Sequence, residues 1–174
     1  VTEENPEKSK RGLYKIKDNY LRFWFAFIYP NMSFIESGHS GIVMDKIRRG
    51  LTTSHIGFVY EDICQERMWE LNVNNAWPFQ FSQLGGYWDA KNEIDIAALD
   101  PEGKNLILGE CKYWKEPVGL NVLHALEAKA CDVAWERDRR KVWYVLFSIS
   151  GFSDELRNHA ATRDDLLLID DRGR

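Results

Sequence analysis

Long apolar runs, paired cysteines and an excess of positive charge are what this 174-residue sequence lacks. No stretch approaches the roughly 20 consecutive apolar residues that span a bilayer. The opening Val1-Thr2-Glu3-Glu4-Asn5 is polar, unlike the apolar centre of a signal peptide. A cytoplasmic protein with no membrane partner is expected. Cys64, Cys111 and Cys131 are odd in number and never form a Cys-x-x-Cys pair. Neither a disulfide framework nor a zinc site is therefore indicated, and reduced, mostly buried thiols are expected. A formal net charge of −4 argues against a protein coated with nucleic-acid-binding surface. No internal repeat or low-complexity tract occurs, and no Gly-x-x-x-x-Gly-Lys-Ser/Thr loop is present to bind nucleotide phosphates.

What is present has the balance of a globular domain, with 44% hydrophobic and 29% charged residues. The length allows one domain with a sizeable core and a small extra element at one end. Positive charge is clustered. Lys8, Lys10, Arg11, Lys15, Lys17 and Arg22 are set against Asp18 alone, with smaller groups at Arg48-Arg49 and at Arg137, Arg139, Arg140 and Lys141. Such clusters suit either phosphates or a solvated face.

Residues 1–18 read as a tail or linker, and Arg11 to Asp18 alternates like a short edge strand. Residues 19–50 read as an N-terminal helical extension. Asp18 or Asn19 caps a helix over Tyr20 to Tyr29, Pro30-Asn31 stops it, and its apolar circumference predicts burial in a core or under another domain. A short amphipathic segment spans Gly41 to Arg49. Residues 51–174 form the main domain. In it a helix from Ser54 to about Leu71 carries the stripe Ile56, Tyr60, Ile63, Cys64, Met68 and Leu71, with Glu61 at its edge. After a turn-rich connection with a short strand near Phe79-Gln80-Phe81, strands are expected over Trp88–Leu99 and Asn105–Tyr113, joined by the turn Asp100 to Lys104. A helix from Leu120 to Trp135, a fully apolar central strand at Val142–Phe147, a helix over Ser153–Ala161 and a strand at Leu166–Asp170 complete the series. The class is α/β, with a mixed central sheet flanked by helices.

Chemistry concentrates on the paired strands. Alternation puts Glu93 and Asp95 on one face, and Glu110 and Lys112 on one face. A two- or four-residue loop centred between Glu102 and Gly103 sets Asp95 opposite Glu110 and Glu93 opposite Lys112; an odd-length loop shifts this by one. Opposed carboxylates about 5 Å apart repel. A raised pKa or a shared divalent cation relieves them, and Mg²⁺ accepts one or two carboxylates together with waters and phosphate oxygens. Lys112 would then orient water or stabilise developing negative charge, which is the equipment for phosphodiester hydrolysis. The same spacing also fits an exposed face with a Glu93 to Lys112 salt bridge. Against that stands Gly109-Glu110-Cys111, which sets a carboxylate directly after the apolar Leu106-Ile107-Leu108.

The order of helix with Glu61, then Glu93-Ile94-Asp95-Ile96, then Gly109-Glu110-Cys111-Lys112 resembles the restriction-endonuclease-like fold and its Asp…Glu-x-Lys motif, and its layout is similar to archaeal Holliday junction resolvases. With Tyr20-Leu21-Arg22-Phe23-Trp24-Phe25 and Tyr29-Pro30, nearly the whole chain resembles the domain of unknown function that ends a group of prokaryotic AAA-type ATPases. That resemblance implies an αβββαβ core. It implies that residues 1–18 are the tail of a winged helix, and that the ATPase domain of the same full-length chain is a partner. It further implies Asp95, Glu110 and Glu61 as ligands of Mg²⁺ or Mn²⁺, with Lys112 acting beside Asp95 and Glu110 in catalysis on DNA. Glu93 is a supporting candidate, and Lys129 and His124 are expected to keep ordinary places on a helix surface. Ile94 stands where the family motif carries proline. The alternative is a nuclease-fold module without catalysis, serving homodimer formation or DNA docking.

Overall fold

A computed structural model of the chain describes residues 15–135 and 140–170. Lys8, Lys10, Arg11, Arg137, Arg139 and the first half of the strand expected over residues 11–18 lie outside those residues. The described residues fall into two compact units, one of residues 15–60 and one of residues 61–135 with 140–170.

The first unit is helical. Helix α1 (Asn19–Phe23) starts where the Asp18 carboxylate accepts a 2.8 Å hydrogen bond from the Leu21 N–H, satisfying one of the donors orphaned at a helix start. A wide π turn (Trp24–Ile28) and a 3₁₀ turn (Tyr29–Asn31) follow, and then α2 (Met32–Glu36). Pro30 therefore does not stop the helical course. It sits in the first turn of the 3₁₀ segment, where a missing N–H is harmless. Within this chain Phe27 is buried, whereas Tyr20, Leu21, Phe25 and Tyr29 are exposed, so the chain's own core does not take the whole helix. Helix α3 (Ser40–Leu51), which buries Val43, packs on the π turn. The Asn31 amide links the two layers, donating to the Phe27 carbonyl at 2.8 Å and accepting from Lys46 Nζ at 2.6 Å. A second π turn (Thr52–Ile56) runs directly into α4 (Gly57–Val73). The helix expected from Ser54 thus has no separate start.

The second unit opens with the rest of α4, where Cys64 and Met68, four residues apart, are buried while Ile63 is 51% exposed. The stripe is narrower than its apolar residues suggest. Phe79 to Phe81 is not a strand, because the Asn72 amide takes both backbone groups of Phe81 at 3.0 Å. The first strand is instead β1 (Gln83–Trp88), through the Gly85-Gly86 pair that reads as a connection in the sequence. Asp89 accepts from the N–H groups of Lys91 and Asn92 at 2.7 and 2.8 Å, closing a turn. That turn makes β2 (Glu93–Leu99) begin at Glu93 rather than Trp88.

Next come β3 (Asn105–Lys112), α5 (Leu120–Asp132), β4 (Lys141–Ser148), α6 (Asp154–Ala160) and β5 (Leu166–Asp170). The sheet order is β1-β2-β3-β4-β5; β1 to β3 are antiparallel, and β3 to β5 are parallel. The series α4-β1-β2-β3-α5-β4 is the expected αβββαβ order with a mixed sheet. Leu106 and Leu108 of β3, Leu123 and Leu126 of α5 and Leu156 of α6 are fully buried in one cluster. Helix α5 ends at Asp132, short of Trp135. Val133 turns to an extended conformation there, and the Arg140 guanidinium collects the carbonyls of Ala130 and Val133 at 3.1 and 2.8 Å.

Candidate active site

Between β2 and β3 the pairs are Leu99 with Leu106, Ala98 with Ile107, Ala97 with Leu108 and Ile96 with Gly109. This is the register expected from an even loop, and Asp95 and Glu110 are the next residues along each strand. Just there the ladder opens. The Cys111 N–H donates to Asp95 Oδ2 at 2.8 Å, and the Asp95 carbonyl accepts from Gln65 Nε2 on α4 at 3.4 Å. On the other side of β2, Gly85 pairs with Ala97 and Tyr87 with Ile94, so Asp95 and Ile96 together face the single residue Gly86. That is a β-bulge, a device that re-aims a side chain and ends regular pairing.

Gly109 admits no side chain. A Cβ there would lie 2.5 Å from Val145 Cγ1 and 2.9 Å from the Val145 carbonyl. The bare backbone lets β3 close on β4 immediately before Glu110.

At the opened end four charged side chains converge. Lys112 Nζ hydrogen-bonds Glu110 Oε2 and lies 3.7 Å from Asp95 Oδ2. Lys129 Nζ, from α5, lies 2.5 Å from Glu110 Oε1 and 2.7 Å from the Glu93 carbonyl. Glu110 is the deepest of the four, with 6% of its side chain exposed, against 15% for Asp95, 20% for Lys112 and 30% for Lys129. Two anions and two cations leave the group formally neutral. Burial, and then the Glu110 charge, push the Asp95 carboxyl above the ordinary range despite Lys112 and the Cys111 N–H. Burial works against the Lys112 ammonium, but the two carboxylates outweigh it and hold its pKa above the usual lysine value.

The structure thus brings Asp95, Glu110 and Lys112 together. Among the described residues no three or more His, Cys, Asp or Glu side chains cluster closely enough to hold a metal ion. Glu61, half-buried on α4, is therefore not gathered with Asp95 and Glu110 into a three-carboxylate set; its charge acts on the buried Cys111 thiol, which hydrogen-bonds Cys64. Cys64 and Cys111 are buried as expected, and Cys131 is exposed. Glu93 pairs with Trp88 on β1, its side chain is exposed, and it serves the site through its carbonyl. Lys112 turns to Glu110 and Asp95, so a Glu93 to Lys112 salt bridge is not what holds the strands. Lys129 corrects the sequence reading, since its ammonium enters the site. His124 is exposed on α5. A cavity of about 210 Å³ lined by Asp100, Gly103 and Trp135 lies at the far end of the β2–β3 hairpin and takes no part in this constellation.

The donor set suits a hard divalent cation. Two carboxylates from adjacent strands share one mostly buried place, and ammonium groups already supply the positive charge that keeps them together. One or two carboxylates with waters is the coordination Mg²⁺ favours.

Comparison with known proteins adds three likenesses. The chain is 40% identical over 109 residues to an uncharacterized protein of Methanocaldococcus jannaschii, a match over 63% of this chain and 24% of that protein. It therefore spans about a quarter of that relative's length. A solved repair endonuclease from Pyrococcus abyssi is 15% identical over 59% of this chain and 44% of its own, with a TM-score of 0.39. EndoMS, solved as a complex with dsDNA, is 14% identical over 62% of this chain and 44% of its own, with a TM-score of 0.36. Residues 24–131, which contain Asp95, Glu110, Lys112 and Lys129, match a family model, and the chain belongs to that family, DUF234, described as archaea bacterial proteins of unknown function.

Proposed function

We propose that the sheet-containing unit is the catalytic part of a divalent-cation-dependent nuclease that hydrolyses DNA phosphodiester bonds, carried at the C-terminal end of a larger ATPase. One observation carries this reading: Asp95, Glu110 and Lys112 converge where the β2–β3 ladder opens, with an ammonium 3.7 Å from one carboxylate and hydrogen-bonded to the other. The motif and element order that resemble the restriction-endonuclease-like fold support DNA as the substrate.

Asp95 and Glu110 would hold Mg²⁺ or Mn²⁺; Glu61, expected from the motif as a third ligand, stands apart from them on α4. When bound, such a cation lowers the pKa of water and neutralises charge on a phosphoryl group. The chain's own residues do the rest. The Cys111 N–H fixes the Asp95 side chain. Lys112, kept protonated by its two anionic neighbours, donates hydrogen bonds to the attacking water or to the charge that grows on the phosphate oxygens. Lys129, from α5, neutralises Glu110 in the metal-free site.

A second reading has an observation of its own. The quartet is neutral without any metal, which supports a non-catalytic module that docks DNA or a second copy for its ATPase. The test is cleavage of branched, single-stranded and double-stranded DNA with Mg²⁺ or Mn²⁺ by the wild type, Lys112→Ala and Asp95→Ala. Cleavage by the wild type and its loss in both variants supports the nuclease; equal cleavage by all three rejects the assignment. No cleavage with any metal, with DNA binding and oligomeric state unchanged in the variants, supports the second reading.

A further inference from the structure

We propose that Trp114 is a stacking platform for an unpaired nucleobase next to the phosphodiester at the Asp95–Glu110–Lys112 site, making DNA with unpaired nucleotides the preferred substrate. This rests on the nuclease reading and deepens it.

The ring stands beside the site. Lys112 Nζ, which hydrogen-bonds Glu110, lies 5.7 Å from the Trp114 ring centroid, within cation–π range. A phosphate attracted to that ammonium brings its own base within reach of the ring. Trp114 is nonetheless 46% exposed, so much of the indole surface is left uncovered by the protein. Nor is this a loosely tethered aromatic. The Lys112 carbonyl accepts from the Ile149 N–H at 3.4 Å, and the Trp114 carbonyl accepts from Ser150 Oγ. Val118 is fixed by two 2.9 Å backbone hydrogen bonds, accepting from the Ser153 N–H and donating to the Gly151 carbonyl. The segment after β3 is thus pinned to the β4–α6 connection at both ends. An exposed, backbone-anchored aromatic stacks a base with little ordering cost. Lys115, exposed next to it, adds positive charge for a neighbouring phosphate.

The occupant is a single-stranded nucleotide because a paired base has both faces covered by its neighbours in the duplex. A base in a loop, flap or frayed end offers its face freely.

The test is binding with Ca²⁺ in place of Mg²⁺. Fluorescence anisotropy is measured for a labelled single-stranded oligonucleotide and for its blunt duplex, with the wild type, Trp114→Ala and Trp114→Phe. A single strand carrying 2-aminopurine gives a second readout, since stacking quenches that base. Trp114→Ala is expected to weaken single-strand binding about tenfold, while Trp114→Phe stays within about threefold of the wild type and duplex binding changes less than about twofold. Quenching by the wild type and Trp114→Phe, and its loss in Trp114→Ala, is expected as well. Unchanged single-strand affinity in Trp114→Ala, equal losses on both DNAs, or failure of phenylalanine to restore binding would overturn the platform while leaving the nuclease reading standing. Absence of DNA binding by the wild type would overturn both.

Discussion

Lys129 on α5 and Glu110 on β3 meet at 2.5 Å, ammonium nitrogen to carboxylate Oε1, while Lys112 takes the other oxygen of the same carboxylate. Glu110 is thereby satisfied on both sides at 6% exposure. A carboxylate so deep in a sheet is expensive unless it is paired. The two lysines stabilise it, and they stand on the oxygens that a metal would use. A cation entering the site competes with their positive charge for Glu110.

Lys129→Met keeps the aliphatic stem and removes the charge. Its loss costs the Glu110 and Glu93 carbonyl contacts, and unfolding free energy in chelator is expected to fall by about 1.5–3 kcal/mol, the range of hydrogen bonds to charged groups. Mn²⁺ should bind more tightly than to the wild type, by about tenfold, since one competing positive charge is gone from a partly buried site. Denaturant unfolding and a Mn²⁺ titration check both. Weaker Mn²⁺ binding in this variant would show that Lys129 supports the ligands rather than competes with the ion.

Lys112→Ala should leave the chain folded and lower the DNA cleavage rate by about 100-fold or more, the scale of losing one preorganised donor at developing charge. Its Mn²⁺ affinity should not fall. Single-turnover cleavage beside the same Mn²⁺ titration separates the two effects.

Gly109→Ala probes the backbone contact that positions Glu110. The added methyl meets Val145 at 2.5 Å with no flexible chain end to yield. Destabilisation of about 1–3 kcal/mol, as for overpacked cores, is expected, with impaired cleavage because β3 must shift next to Glu110. Thermal unfolding and the cleavage rate measure these. A variant as stable and active as the wild type would show that the β3–β4 approach is not needed.

Asp95 sets a pH dependence of stability. Its carboxyl is held above the ordinary range, first by burial and then by Glu110. Below the ordinary aspartate range it is neutral in the folded and unfolded chains, and its contribution to stability is complete. As pH rises through the raised folded-state pKa, ionisation costs more in the folded chain and that contribution is lost. Asp95→Asn does not titrate. Its melting temperature relative to the wild type is therefore expected to rise from acid toward neutral pH, by about 2–4 °C for each kcal/mol in a domain of this length. A difference that shrinks as pH rises would reverse the assignment.

The main features were legible in particular residues. Asp100 and Gly103 announced the β2–β3 turn, with the register left to the parity of the loop, and Val142–Phe147 read as a strand because it is a fully apolar run of strand length, which the structure extends to Lys141–Ser148. Asp95, Glu110 and Lys112 were legible as a set because period-two alternation and an even loop leave few alternatives. What stayed hidden depends on contacts between distant segments. The bulge at Asp95 arises from pairing with β1, a strand whose Gly85-Gly86 looks like a turn. Lys129 lies 19 residues from Glu110, and only the packing of α5 on the sheet brings them together. The exposed side chains between Tyr20 and Tyr29 show that an apolar circumference states what a helix could bury, not which segment covers it.

The sharing of one cation by Asp95 and Glu110 is tested most directly by soaking crystals of the chain in Mn²⁺ and locating the ion by its anomalous scattering. The expected result is an ion within about 2.5 Å of carboxylate oxygens from both residues, with the Lys129 ammonium moved off Glu110. Saturating Mn²⁺ that leaves the four side chains in their metal-free arrangement, or an ion held elsewhere in the unit, would contradict it.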